Sequence, residues 1–188
     1  AACAGACGVV AEGVVPVPRD EGGVAILTAR HISRANAAIP MTLGGSAINQ
    51  RLIEEGLRFK VSLVAESGQI ASSHHIACAL GFGAAAVYPI GVRMSAEELC
   101  GEACAEAYGK FKKAAEKALM KTMGKVGLCT VESYSGGEFF EPNFLDTNDR
   151  VFAKSLPNMK TPACGVQFQP ISQSVGGGGG GWGAVRGP

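Results

Sequence analysis

Hydrophobic and polar positions along this chain fall into short blocks that change period. Lys60 to Glu66 is apolar and β-branched as a buried strand would be, and it stops at Ser67-Gly68-Gln69, where turn chemistry takes over. Ser72 and Ser73 can offer hydroxyls to the free N–H groups of a new helix, whose Ile76, Ala79 and Leu80 recur at helical spacing until Gly81 and Gly83 close it. Ala85 to Ile90 is a second apolar run. A strand-helix-strand this short predicts a right-handed crossover between parallel strands.

The same alternation extends to both sides. Val24 to Ala29 is an apolar run suited to a central strand, and His31 to Ala38 reads as a loop leading to Pro40, whose fixed φ suits a first helical turn. Met41 to Leu57 follows as a helix, with Ala47, Ile48, Leu52 and Ile53 on one side, polar residues on the other, and Gly56 as terminator. Gly44-Gly45 inside it implies close packing on the sheet. Ser95, Glu97 and Glu98 open a further helix that runs, with a break near Gly109, to about Met123. Tyr108, Phe111, Ala115, Ala118, Leu119 and Thr122 form its buried side, and Lys110, Lys113, Lys117 and Lys121 a basic stripe. Leu128 to Tyr134 reads as another strand, Ser135-Gly136-Gly137 as a turn, and Glu138 to Glu141 as a helical turn cut short by Pro142; from Asn143 onward the pattern is loop.

The fold class predicted is α/β, a parallel sheet with helices on its faces and disordered tails. Residues 1–23 form a poorly ordered segment with one candidate strand at Val9 to Val15; 24–99 an α/β unit; 100–170 a long helix, strand and loop; and 171–188 a Gly-rich tail containing the run Gly176 to Gly181.

Composition narrows the function. With 188 residues, 47% of them hydrophobic, the chain suffices for one ordinary core. Lys+Arg 17 against Asp+Glu 16 leaves +1, without the basic excess of nucleic-acid binding. The uncharged run Ile76 to Val92 is broken by Gly81, Gly83, Pro89 and Gly91, which argues against a membrane span. Seven cysteines lie at gaps of 4, 71, 22, 4, 25 and 35 residues, with no CxxC pair, as free thiols in a reducing cytoplasm would.

Candidate chemistry is sparse. Adjacent His74 and His75 point about 100° apart on a helix and lack a third ligand, so packing and capping account for them better than a metal does. Cys100 and Cys104, four apart on a helix, would share a face, yet two ligands make no structural zinc site. Gly81-Phe82-Gly83-Ala84 precedes a strand, whereas a dinucleotide loop follows one. Ser133, Gly136 and Gly137 are the candidate cofactor contact: a Gly-rich turn after a strand can aim N–H groups at a phosphate, although a tight turn alone explains it. Glu132, Glu138 and Glu141 have no partner that would make a general acid-base pair, so no catalytic residue and no metal ligand is named. For the lysine stripe a solvated face is the plain reading, and an acidic partner the alternative.

Two stretches resemble the large subunit of glutamate synthase. In Ile39 to Pro89 the likeness lies in Ile39-Pro40 at a helix start, Leu52-Ile53-Glu54-Glu55-Gly56-Leu57-Arg58 at its end, the Ser62-Leu63-Val64 strand, the Glu66-Ser67-Gly68 turn, the His74-His75 pair and Gly81-x-Gly83-Ala84 before a strand ending at Pro89. In Lys112 to Glu141 it lies in Lys121, Met123, Lys125 and Gly127, then Ser133-Tyr134 and an aromatic-acidic segment. These look like the end of the family's central domain and the entry to its flavin domain. The resemblance implies glutamate formation from 2-oxoglutarate and glutamine in nitrogen assimilation, on an enzyme carrying FMN and an iron-sulfur cluster, partnered by a small subunit or ferredoxin and located in the cytoplasm. It implies a scaffolding piece whose partners are the glutaminase and flavin domains, with no cofactor of its own; a stand-alone structural or regulatory binding module is the alternative. The family's glutaminase begins with a catalytic Cys, whereas Cys3 is not first here, and the cysteine gaps make no three-cysteine cluster. Tyr88 and Ile90 around Pro89 depart from the family's Asn-Pro-Tyr.

Overall fold

The structure is a computed structural model that describes residues 22–30, 39–137, 139–159 and 165–167. The candidate strand at Val9 to Val15, the loop from His31 to Ala38 and the glycine run lie outside them.

Three parallel strands, β1 (Gly23–Thr28), β2 (Val61–Glu66) and β3 (Ala86–Tyr88), lie side by side in chain order. Helix α1 (Met41–Glu54) connects the first two and α2 (Ser73–Gly81) the second and third. This is the parallel α/β arrangement expected. Among the described strands β2 is central and β1 lies beside it at one edge, where Val24 to Ala29 was expected to suit a central position. The burial of β1 alternates residue by residue, as in a strand with one face uncovered.

Both connecting helices pack on the same face. A Cβ at Gly44 would come 3.3 Å from Leu27, and one at Gly45 3.9 Å from Leu63, so the glycine pair lets α1 lie close on the sheet. Leu57, Val61 and Leu63 are buried with Ile48 and Leu52 of α1, and Ala65 with Ile76, Ala77 and Leu80 of α2. Right-handed crossovers that advance one strand at a time place their helices on one side. The opposite face presents the row Ile26, Val64, Ala86, with Val24 beside Ser62. Val24 is 68% and Ile26 64% exposed. The described helices leave this face open.

Past β3, Pro89 caps α3 (Ile90–Cys100), which starts five residues before the expected Ser95 and contains no buried residue. A 3-10 turn (Gly101–Ala103) leads into α4 (Cys104–Val126). The break therefore falls at Gly101, with φ of 51°, rather than at Gly109, which sits inside α4. Ala115 and Met123 bury themselves, flanked by half-buried Phe111 and Leu119. Gly127 ends α4 in the left-handed region, φ 83°, as a terminal glycine does.

Leu128 to Tyr134 is not a strand. Thr130 accepts the Ser133 N–H and opens a short helix, α5 (Val131–Tyr134). Leu128, Val131 and Tyr134 then enter one core at three-residue spacing, and Tyr134 is 1% exposed. No helical turn forms at Phe139 to Glu141 among the described residues. The presumed loop holds one more helix, α6 (Arg150–Ser155), capped by Asp149 and seated on Leu43 of α1 through Phe152 and Leu156. The Ser46 hydroxyl donates to the Ser155 carbonyl at that contact.

Candidate functional site

The carboxyl ends of parallel strands are where α/β proteins place their chemistry. Here Thr28, Glu66 and Tyr88, each the last residue of its strand, align in register. Thr28 donates its hydroxyl to Glu66 Oε2 at 2.6 Å, and Arg30 donates to Oε1 at 2.5 Å. These two bonds, Arg30 first, hold the Glu66 carboxyl at about 2, against the opposing effect of burial. Such a carboxylate stays ionised and paired and makes a poor general base near neutrality.

The turn after β2 is spent on structure. Ser67, fully buried, accepts the Gln69 N–H at 3.0 Å, and Gln69 Oε1 accepts the Met41 N–H at 2.8 Å. Gln69 thus satisfies a free amide of α1, whose preceding Pro40 offers no side-chain cap. Gly91 brings α3 against the same turn: a Cβ there would meet Gly68 Cα at 3.1 Å.

At the opposite end of the sheet Arg58 donates to Asn49 Oδ1 (2.5 Å), the Val61 carbonyl (3.2 Å) and the Gly83 carbonyl (3.0 Å). Burial lowers its pKa from the usual guanidinium value. This knot ties α1 to the loops before β2 and β3. Neither it nor the Gln69 cap was read from the sequence, where an Arg just ahead of a buried strand was the available sign.

The predicted site residues sit apart from one another. His75 Nδ1 accepts the Ala71 N–H at 3.2 Å while its own N–H goes to Ser72 Oγ at 3.3 Å, in keeping with a helix-start role. His74 Nε2 lies 3.5 Å from Cys78 Sγ, and its ring stands edge-on to Phe140 at 6.4 Å. Burial raises the Cys78 thiol. Cys100 and Cys104 do not share a helix face: one ends α3 and the other begins α4, across the 3-10 turn. Among the described residues no group of three His, Cys, Asp or Glu could hold a metal ion. Ser133 lies within α5, and Gly136 and Gly137 follow that helix rather than a strand. The Ser133 hydroxyl pairs with Thr130 Oγ1 at 2.8 Å, and the Gly136 and Gly137 amides donate to the carbonyls of Leu80 (3.1 Å) and Tyr134 (3.1 Å). Lys110 pairs with Glu106 at 2.7 Å, while Lys113, Lys117 and Lys121 make no ion pair with a described residue.

One concavity stands out. A cavity of about 570 Å³ opens between the start of α1, the outer side of α2 and the segment leading into α6. Its walls include Leu43, Phe82, Phe140 and Phe152, with His74 and Cys78 on one side. No described helix is long and apolar enough to cross a membrane.

Comparison with known proteins settles the kinship. The family described as glutamate synthase central domain matches residues 9–144. The chain belongs to the glutamate synthase central-domain family. It is 32% identical over 157 residues to the glutamate synthase [NADPH] large chain of Bacillus subtilis, which takes in 80% of this chain and 10% of that protein. It is similar at 36% identity over 124 residues to the ferredoxin-dependent glutamate synthase of Cyanidium caldarium, covering 58% of this chain and 8% of the relative. Against ferredoxin-dependent glutamate synthase 1 of Arabidopsis thaliana it is 33% identical over 159 residues, 73% of this chain and 9% of that one. The chain thus spans a tenth or less of the length of these relatives. The match takes in the sheet, all of α1 to α5 and the Glu66 and Arg58 knots. At the glycine turn the amides of 136 and 137 are already bonded and so are not free for a flavin phosphate, and among the described residues Cys78, Cys100, Cys104 and Cys129 form no cluster of ligands.

Proposed function

We propose that this chain is the closing part of the central domain of a glutamate synthase large chain and that it scaffolds rather than catalyses. The family match over residues 9–144 carries this reading, supported by the open sheet face and by a carboxyl edge whose polar groups pair with one another. In the whole enzyme, FMN and the iron-sulfur cluster would belong to the flavin domain, with residues 100–170 leading toward it. The glutaminase domain and a small subunit or ferredoxin would be the other partners, and the compartment the cytoplasm. The open face and the knots at either edge would fix the spacing between the two reacting domains. We read Ser133, within α5, and Gly136 and Gly137, in the turn between α5 and the cavity segment, as structural rather than as a cofactor contact. The test is to titrate FMN into the isolated chain and assay glutamate formation from 2-oxoglutarate and glutamine. Neither flavin retention nor turnover is expected; turnover would overturn the scaffold reading.

A second reading, a stand-alone regulatory module, draws on Lys113, Lys117 and Lys121, exposed on one side of α4. It requires salt-dependent binding of an acidic protein that is lost when these three become Glu.

A further inference from the structure

We infer that the cavity between α1, α2 and the segment Phe139 to Met159 is a binding site for an uncharged, flat, ring-containing small molecule. This goes beyond the scaffold reading and stands or falls separately from it. The volume, about 570 Å³, lies within the roughly 300–1,000 Å³ of small-molecule pockets. A cavity of roughly 150 Å³ takes one benzene, so two or three fused rings fit. Phe82 and Phe140 stack at 5.5 Å with 30° between their planes, and His74 stands edge-on to Phe140, which sets aromatic surface on one wall. Offset stacking and edge contacts with a flat ligand follow from that wall.

Charge decides the rest of the ligand class. Among the described lining residues there is no lysine or arginine, and Glu141 is the carboxylate present. An anion would lose hydration with no cation among the described lining residues to replace it. The Cys78 thiol and His74 Nε2, 3.5 Å apart, supply one polar spot, and Thr42 and Asn143 also line the wall, which suits a ligand with a few hydrogen-bonding atoms on an apolar frame. No lining residue takes part in the Glu66 or Arg58 contacts.

N-phenyl-1-naphthylamine, a neutral dye, is the probe. It is expected to saturate at one molecule per chain, with the chain monomeric by sedimentation, and to slow iodoacetamide alkylation of Cys78 by about tenfold or more while leaving exposed Cys100 unchanged, both read by peptide mass spectrometry. Cys78→Trp should weaken dye binding by about tenfold or more with an unchanged circular dichroism spectrum, and the anionic 8-anilinonaphthalene-1-sulfonate should bind the native chain more weakly by a similar factor. Unsaturable binding, unchanged Cys78 alkylation, equal affinity for the anionic dye, or dye binding that appears only with dimer formation would each overturn the proposal. The alkylation measurement uses the native chain and holds even if the Trp variant fails to fold.

Discussion

Glu66 shows how a side chain at the place of chemistry can be committed to structure. Its carboxyl, held at about 2 by Arg30 and Thr28, lies below the ordinary carboxylate range. A group whose folded value is depressed contributes stability above its unfolded pKa of roughly 4, and that contribution disappears as pH falls toward the folded value. Glu66→Gln should therefore lower the urea midpoint at pH 7, and the gap from the native chain should narrow at pH 3. Gly83 is the second residue to test. Its φ is 104°, and a Cβ would sit 2.5 Å from Asn49 Cγ, beside the Arg58 knot. Gly83→Ala should cost about 2–3 kcal/mol in urea denaturation. Gly68, with open space around it, should tolerate Ala within about 0.5 kcal/mol. The sequence showed both glycines only as helix or turn punctuation. What separates them is a neighbour 34 positions away from Gly83, Asn49, which no local pattern reports.

Elements with a sustained period were legible and short ones were not. α1, β2 and α2 appear within a few residues of where their patterns placed them, because each buries one face on the same sheet. The stretch Leu128 to Tyr134 misled because the β-branched pair Thr130-Val131 fits a strand as well as a capped helix start; the shared core with α2 selects the helix. α6 was missed behind its prolines, although Asp149 before Val151, Phe152 and Leu156 carries a cap and a helical period. For α4 the division into buried and solvated sides was readable, and it makes a paired prediction. Met123→Ala, at a 5% exposed position, should lower stability by about 2–4 kcal/mol, whereas Lys117→Ala on the opposite side should change it by less than about 0.5 kcal/mol. Thermal unfolding followed by circular dichroism compares the two.

At the scale of the molecule the decisive feature is a parallel sheet whose described helices all lie on one side. Such sheets are found with both faces covered, and a bare apolar row costs a protein solubility as well as hydration free energy. Val24, Ile26, Val64 and Ala86 make sense if the rest of a much longer polypeptide lies over them, which agrees with relatives about ten times the length of the match. Family and fold class were legible because they rest on order and spacing across more than a hundred residues. The one-sided dressing was not, since the apolar run Val24 to Ala29 reads as a central strand and its alternating burial shows only once its neighbours are placed.

The most direct measurement replaces Val24 and Ile26 together by Lys in the isolated chain and follows its thermal unfolding. If this face is held open for the remainder of the protein, the double variant should unfold cooperatively within about 2 °C of the native chain, as surface changes do, while Leu63→Lys on the covered face should not fold. Loss of the cooperative transition in the double variant would mean that the chain covers its own sheet, and the account of it as a piece built to be completed by its neighbours would fail.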